Sequence, residues 1–277
     1  MSDLEKLEKL KSLIGSWGGC AVAFSGGVDS TLLLTVAHEM LGERCLAVIA
    51  VSSTYPRREY ASAVEWVKSK GIPYVTIISE ELYIPGFSEN PPDRCYYCKK
   101  ELFGKIREEA ERFGVTVVAD GTNFDDTTDF RPGMKAAGEL GVLSPLRECC
   151  LTKDDIRLIS REIYRLPTAD KQPMACMASR IPYGSDITAE KLRQVEDMED
   201  YLALKGFKTY RARHHGVLLR LELGREEMEI LRQGSLASEV VEFAKRLGFV
   251  YVTMDLEGFR SGSMNEMLMK KVHNAHG

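Results

Sequence analysis

The sequence predicts an α/β fold, a parallel sheet with helices on both faces, followed by a smaller C-terminal α+β region. Three observations predict it. Short apolar runs alternate with helical stretches as far as residue 165. A glycine-rich turn, Ser25-Gly26-Gly27-Val28-Asp29-Ser30, stands between the first apolar run and the helical stretch after it. Beyond residue 185 the pattern changes to alternating strands set among helices. Apolar runs without polar alternation mark strands covered on both faces, and strands alternating with helices imply βαβ units.

Residues 1–13 place Lys, Glu and Leu at helical spacing and lack a signal peptide's apolar core and cleavage site. Residues 20–24 read as the first strand, 46–51 as the second, 74–78 as the third and 115–119 as the fourth. Helices are expected over 30–41, 55–70, 98–113 and 154–165, the last stopped by Leu166-Pro167-Thr168. A loop containing Pro, Met and Gly at 169–185 marks the domain boundary, giving domains at 1–168 and 169–277. In the second domain, 188–206 reads as a helix capped by Gly206. Strands at 207–213 and 217–223 flank an expected His214-His215-Gly216 turn. Helices at 226–233 and 235–247 and a strand at 249–255 follow, and the tail past Met264 is expected to be loosely ordered.

The 277 residues carry a formal charge of −4, which excludes a global basic field for a long nucleic acid. No apolar run approaches the roughly 18 residues that a membrane span needs. The expected location is cytoplasmic. Seven cysteines, an odd number, argue against a disulfide framework. Cys20 and Cys45 sit at strand-like runs and read as small buried hydrophobes. Cys149 and Cys150 follow a Leu-rich stretch and read the same way.

The glycine-rich turn has the residue types that hold a phosphate. Adjacent glycines let backbone N–H groups close around an anion, and a helix N-terminus adds favourable partial charge. Serine hydroxyls add donors, and Asp29 offers oxygen to Mg²⁺. No Gly-Lys-Ser/Thr follows, so this is not a Walker A loop. It resembles the PP-loop of the ATP-pyrophosphatase, or adenine nucleotide alpha-hydrolase-like, superfamily. The resemblance implies cleavage of ATP to AMP and pyrophosphate with adenylylation of a substrate. It assigns Ser25, Gly26, Gly27, Val28, Asp29 and Ser30 to the phosphates. Asp120-Gly121-Thr122-Asn123 follows the fourth strand, where nucleotides bind in open α/β sheets, so Gly121 and Asn123 join the expected site. An ordinary Asp-Gly turn competes with that reading. Ala50 to Ser53, ending the second strand, are expected near the adenine.

Arg94-Cys95-Tyr96-Tyr97-Cys98-Lys99 contains a C-x-x-C at a helix start, where nearby Arg and Lys favour thiolate. A redox pair needs a thioredoxin-like setting, and a structural zinc site wants four ligands. A third reading is an iron–sulfur cluster on Cys95, Cys98 and Cys176. The arrangement resembles PP-loop sulfur transferases that thiolate tRNA, and the whole chain is more similar to LarE-type sulfur transferases of nickel-pincer nucleotide synthesis. The likeness includes Arg131-Pro132-Gly133, Ser144-Pro145-Leu146 and Leu151-Thr152-Lys153. It runs through Ala175-Cys176-Met177-Ala178-Ser179-Arg180-Ile181-Pro182-Tyr183-Gly184 and Arg213-His214-His215-Gly216 to the segment at 255–263.

That resemblance implies adenylylation of a carboxylate on a pyridinium dicarboxylate mononucleotide, then sulfur insertion to give a thiocarboxylate. Sulfur then comes through a [4Fe-4S] cluster on the three cysteines, the route to which the companion Cys95 and Cys98 point, or, as the alternative, from Cys176 itself, which becomes dehydroalanine. Cys176, Ser179, Arg180 and Asp29 are the expected catalytic set, ATP and Mg²⁺ the cofactors, and a hexamer the implied assembly. Arg211 and Arg213, alternating on one strand face, are expected to hold the substrate phosphate. Glu199 and Glu222 are weaker candidates for substrate or metal. His214 and His215 read equally as bases or as turn residues. Two other chemistries fit the phosphate loop: ammonia-dependent amidation, as in NAD or GMP synthetase, and tRNA thiolation, against which the −4 charge counts.

Overall fold

A computed structural model describes residues 2–128, 132–172, 175–260 and 262–266. The chain divides into two compact units, residues 1–84 with 93–174, and residues 85–92 with 175–277. Arg131, Ser261 and the tail beyond residue 266 lie outside the described residues.

The first unit runs α1 (Asp3–Gly15), β1 (Cys20–Ala23), α2 (Val28–Leu41), β2 (Cys45–Val51), α3 (Arg57–Ser69), β3 (Tyr74–Ile78), α4 (Arg94–Phe113) and β4 (Val117–Ala119). Three short helices follow: α5 (Pro132–Glu139), α6 (Pro145–Glu148) and α7 (Lys153–Leu158). The helix expected over 154–165 is α7 continued by a π-helical turn at Ile159–Ile163. The four strands are parallel, in the order β3-β2-β1-β4.

Strand alternation divides the apolar side chains between two cores. Cys20, Val22, Ala47 and Ile49 pack with Leu10 of α1, Leu33 of α2 and Val67 of α3. Ala21, Leu46 and Val48 pack with Phe103, Ile106 and Ala110 of α4. The chain therefore steps outward from β1 through β2 to β3 with helices on one face. It then crosses to β4 on the other side of β1 with α4 on the opposite face, as right-handed crossovers require. The order of strands reverses between β1 and β4. Ligands of open α/β sheets bind at the carboxyl ends of strands at such a reversal.

The second unit runs α8 (Ala189–Leu204), β5 (Tyr210–His215), β6 (Leu218–Leu223), α9 (Arg225–Leu231), α10 (Leu236–Arg246) and β7 (Tyr251–Met254). Its sheet has the order β5-β6-β7, with β5/β6 antiparallel and β6/β7 parallel. His214 and His215 belong to β5, paired with Leu219 and Leu218, rather than to the expected turn. The turn is Gly216-Val217. A two-residue hairpin needs a positive φ, which Gly216 supplies at 66°. Among the described residues no helix is long and apolar enough to cross a membrane.

Candidate active site

The structure places Ser25-Gly26-Gly27-Val28-Asp29-Ser30 between the carboxyl end of β1 and the N-terminus of α2. Ser30 Oγ closes the loop on itself, lying 3.1 Å from Ser25 Oγ and donating to Gly27 O at 3.2 Å. Gly27 caps α2 without a side-chain cap bond, so donors at the helix start are left for a ligand. Gly121, after β4, packs directly on this loop. A Cβ there would lie 3.0 Å from Ser30 N and 3.2 Å from Ser30 Cα. The two segments expected from sequence thus meet at the β1/β4 reversal.

Asp29 and Asn123 are hydrogen-bonded across that crevice, Asn123 Nδ2 donating to Asp29 Oδ1 at 3.2 Å. Asn123 is buried, and its Oδ1 accepts from the N–H groups of Asp125 and Asp126. Asp120 is held by Ser144 Oγ at 2.8 Å and Thr122 Oγ1 at 2.8 Å. The second oxygen of Asp29 forms an ion pair with Lys153 at the start of α7. Lys171 pairs with Glu59 and donates to Gly26 O, and Tyr55 donates to Ser25 O. None of Lys153, Lys171, Tyr55 and Glu59 was an expected site residue. Only Lys153 carried a signal, as part of Leu151-Thr152-Lys153. The site therefore has lysines, drawn from distant segments rather than from the loop itself.

Ala50 is half-buried in the sheet, paired with Ile77. Beyond it a surface recess of about 390 Å³ opens at the ends of β2 and β3, lined by residues including Ser52, Ser53, Ile78, Ser79 and Tyr83.

Cys95 and Cys98 lie in the first two turns of α4, three residues apart and so on one face. Cys95 is exposed and Cys98 half-buried. Cys98 Sγ donates to Glu81 Oε1 at 3.0 Å, and the Thr54 hydroxyl takes the other oxygen of this buried glutamate. Cys176 is exposed, at the head of a short 3-10 turn, Met177–Arg180. Among the described residues no group of three or more His, Cys, Asp or Glu side chains is gathered to hold a metal ion. Cys20 and Cys45 are buried and directly paired between β1 and β2. Their mutual hydrogen bond and burial push the Cys45 thiol up. Cys149 is buried, whereas Cys150 is exposed with φ 57°.

In the second unit, Arg180 is 1% exposed and grips Glu199 with both Nε (2.8 Å) and Nη2 (2.9 Å). Its Nη1 donates to Ala175 O at 2.8 Å and to Ser179 Oγ at 3.0 Å, bracing the residues around Cys176. Burial pushes the Glu199 carboxyl up, but Arg180, Arg211 and the Ala212 N–H outweigh it and hold the group below its usual range. Arg213 donates to Ser179 O, Glu222 Oε2 and Ser263 Oγ. Arg220 donates to the other Glu222 oxygen at 2.9 Å. Arg211 donates to Tyr210 O and lies over the Phe259 ring. Burial, then the charge of Arg180, pushes the Arg211 guanidinium down to about 10. Among the described residues, Arg213 Nε, Arg220 Nε and His215 Nε2 are buried without a hydrogen-bond partner. Burial, with Arg220 and Arg213 nearby, holds the His215 imidazole below its usual range. Arg180 is thus paired with Glu199, Arg213 and Arg220 share Glu222, and Arg220 and Arg260 both approach Asp255. His214 bonds to Gln194 at 2.9 Å.

No protein-family model matches the chain. It is 40% identical over 265 residues to an uncharacterized protein of Synechocystis sp., covering 96% of this chain and 98% of that one. It is 37% identical over 250 residues to the pyridinium-3,5-bisthiocarboxylic acid mononucleotide synthase of Lactiplantibacillus plantarum, covering 90% of each. A more distant likeness, 26% over 203 residues, is to a glutamine-hydrolyzing GMP synthase component of Thermoplasma volcanium, over 68% of this chain and 64% of that one. Identity of this extent, with a glycine-rich loop set at the reversal of a parallel sheet, shows that the chain belongs to the LarE-type family of ATP-dependent sulfur transferases, enzymes of the PP-loop superfamily.

Proposed function

We propose that this enzyme uses ATP and Mg²⁺ to adenylylate a carboxylate of a pyridinium dicarboxylate mononucleotide, and then inserts sulfur to form a thiocarboxylate. The phosphate loop at the β1/β4 reversal, with Asp29 in reach of Lys153 and Asn123, is the observation that carries this reading. The first unit takes the ATP, with Asp29 as the oxygen donor for Mg²⁺. The second unit takes the substrate phosphate. The unpartnered ε-N–H groups of Arg213 and Arg220, beside Arg211, supply donors and charge that a phosphate satisfies.

A carboxylate oxygen of the substrate attacks the α-phosphorus, and the bond to the pyrophosphate oxygen breaks. The acyl-adenylate is an electrophile with AMP as its leaving group. The Cys176 thiolate attacks the acyl carbon, forming a thioester as AMP departs. Removal of the Cys176 α-proton then breaks its Cβ–S bond, leaving a thiocarboxylate product and dehydroalanine. The exposure of Cys176 supports this delivery. Cys95, Cys98 and Cys176 have the donor chemistry for a [4Fe-4S] cluster, and as its three ligands they would leave one iron to carry a renewable sulfide. The hexamer that the resemblance implies belongs to the same proposal.

The test supplies enzyme, ATP, Mg²⁺ and the mononucleotide, and follows pyrophosphate and product mass. Wild type releases pyrophosphate only with the substrate and replaces a carboxylate oxygen by sulfur. Cys176→Ala keeps pyrophosphate release and loses thiocarboxylate. A Cys176→Ala enzyme that still transfers sulfur sinks the residue's role. Loss of the mass of H₂S from the protein at each turnover identifies sacrificial delivery. Cluster iron and acid-labile sulfide after anaerobic purification, lost in a Cys95 or Cys98 variant, identify the other.

A further inference from the structure

We propose that Tyr55 and Lys171 aim the phosphate loop from behind, by holding two successive carbonyls so that the N–H groups of Gly26 and Gly27 face the phosphates. The inference rests on the proposal that this loop takes ATP. Tyr55 Oη donates to Ser25 O at 2.9 Å, and Lys171 Nζ donates to Gly26 O at 2.9 Å. A trans peptide is a rigid plane whose C=O and N–H point in opposite directions. Ser25 O shares its plane with the Gly26 N–H, and Gly26 O shares the next plane with the Gly27 N–H. Each hydrogen bond taken by a carbonyl thus directs one N–H the other way.

The surroundings fit this arrangement. Neither N–H takes a backbone partner among the described residues. Gly26 has φ 61°, and a Cβ built on it would come within 3.2 Å of Ala63 Cβ, so α3 closes the rear of the loop. Tyr55 stands just before α3, and Glu59 in the first turn of α3 holds the Lys171 ammonium on the same side. Burial and the charge of Glu59 push the Tyr55 phenol up, keeping it a donor. β2, which leads into Tyr55, and β4, which leads into Gly121, flank β1 on opposite sides. Carbonyls held from the β2 side leave their N–H groups directed towards the β4 side, where the crevice lies. The loop has no lysine of its own, and Lys171 acts on its back. Donors fixed in advance lose no energy to reorganisation when the anion arrives.

Full-length wild type, Tyr55→Phe and Lys171→Met are titrated calorimetrically with magnesium pyrophosphate, ATP and adenosine. Tyr55→Phe removes one hydroxyl and keeps the ring. It is expected to weaken pyrophosphate and ATP binding by about two- to tenfold, the range for one neutral hydrogen bond, with adenosine affinity unchanged. Lys171→Met weakens the same two ligands at least as much and also spares adenosine. Unchanged pyrophosphate binding in Tyr55→Phe overturns the proposal, including the case where only Lys171→Met loses affinity, which would make Lys171 a direct phosphate ligand. Equal losses for adenosine and pyrophosphate also overturn it, since they mean a general disturbance of the fold. Wild type that binds neither ATP nor pyrophosphate removes the ATP reading itself, and this inference with it.

Discussion

Asp29 is shared between two partners, Lys153 on one oxygen and Asn123 on the other. In the proposed site a magnesium ion held by Asp29 would take over part of that carboxylate and free the Lys153 ammonium for the phosphates. Asp29→Asn keeps the shape and removes the charge. Pyrophosphate release at saturating ATP is expected to fall by about a hundredfold or more, the usual cost of losing one preorganised electrostatic group. Retention of wild-type release would remove Asp29 from the metal site. Glu199 is the corresponding residue of the second unit, buried and gripped by Arg180 at both oxygens. Glu199→Gln leaves Arg180 without its counter-charge and should cost about 3–5 kcal/mol in a denaturant titration. The pH dependence follows from the depressed carboxyl. The stabilisation is complete above the unfolded value near 4.5 and is lost as pH falls through the lower folded value. Wild type should therefore lose stability below about pH 4.5 more steeply than Glu199→Gln. The six loop residues were legible because they are contiguous and chemically unusual. Tyr55 and Lys171 were not, since a lone Tyr or Lys tens of residues away carries no local pattern of the loop it meets.

At the scale of elements, the approach of the segment after β4 to the first turn of α2 depends on Gly121 lacking a side chain. Its neighbour is the Ser30 backbone, which cannot give way as a flexible side chain can. Gly121→Ala is expected to cost about 1–3 kcal/mol from overpacking and to reduce pyrophosphate release. Gly138→Ala is the control, since a Cβ there meets nothing within 4 Å, and it should leave release unchanged. Equal behaviour of the two variants would show that the close approach is dispensable. The two central strands β1 and β2 were readable in sequence because a strand buried on both faces must be apolar throughout, as Cys20 to Ala23 and Cys45 to Val51 are. The β5/β6 turn was misplaced for a physical reason. Two adjacent histidines and a glycine look like a loop, yet His214 packs its ring against Phe249 while His215 pairs with Leu218. Tertiary packing decided what local composition left open.

For the whole molecule, the chain passes between its units three times, after residues 84, 92 and 174. Residues 85–92 belong to the second unit through buried Asn90, whose Nδ2 donates to Ile181 O (3.1 Å), Pro182 O (2.8 Å) and Ser185 O (3.2 Å). Asn90 has φ 57°, a conformation asparagine tolerates better than most residues. A fragment of residues 175–277 lacks that strap, and circular dichroism and hydrogen exchange should show it folding less cooperatively than the same region of the full chain. In full-length Asn90→Ala the loss of amide protection should concentrate at 181–187, and unchanged protection there would make the strap incidental. No local periodicity marks this strap, because its partners lie some ninety residues further on. The distribution of the seven thiols has a practical outcome as well. Cys20, Cys45 and Cys149 are sealed inside, whereas Cys95, Cys98, Cys150 and Cys176 reach the surface or lie near it. A water-soluble alkylating reagent applied to native protein therefore leaves the three interior thiols unmarked, so the number of adducts counted by mass spectrometry becomes a direct tally of which outer sulfurs are occupied, spent or intact.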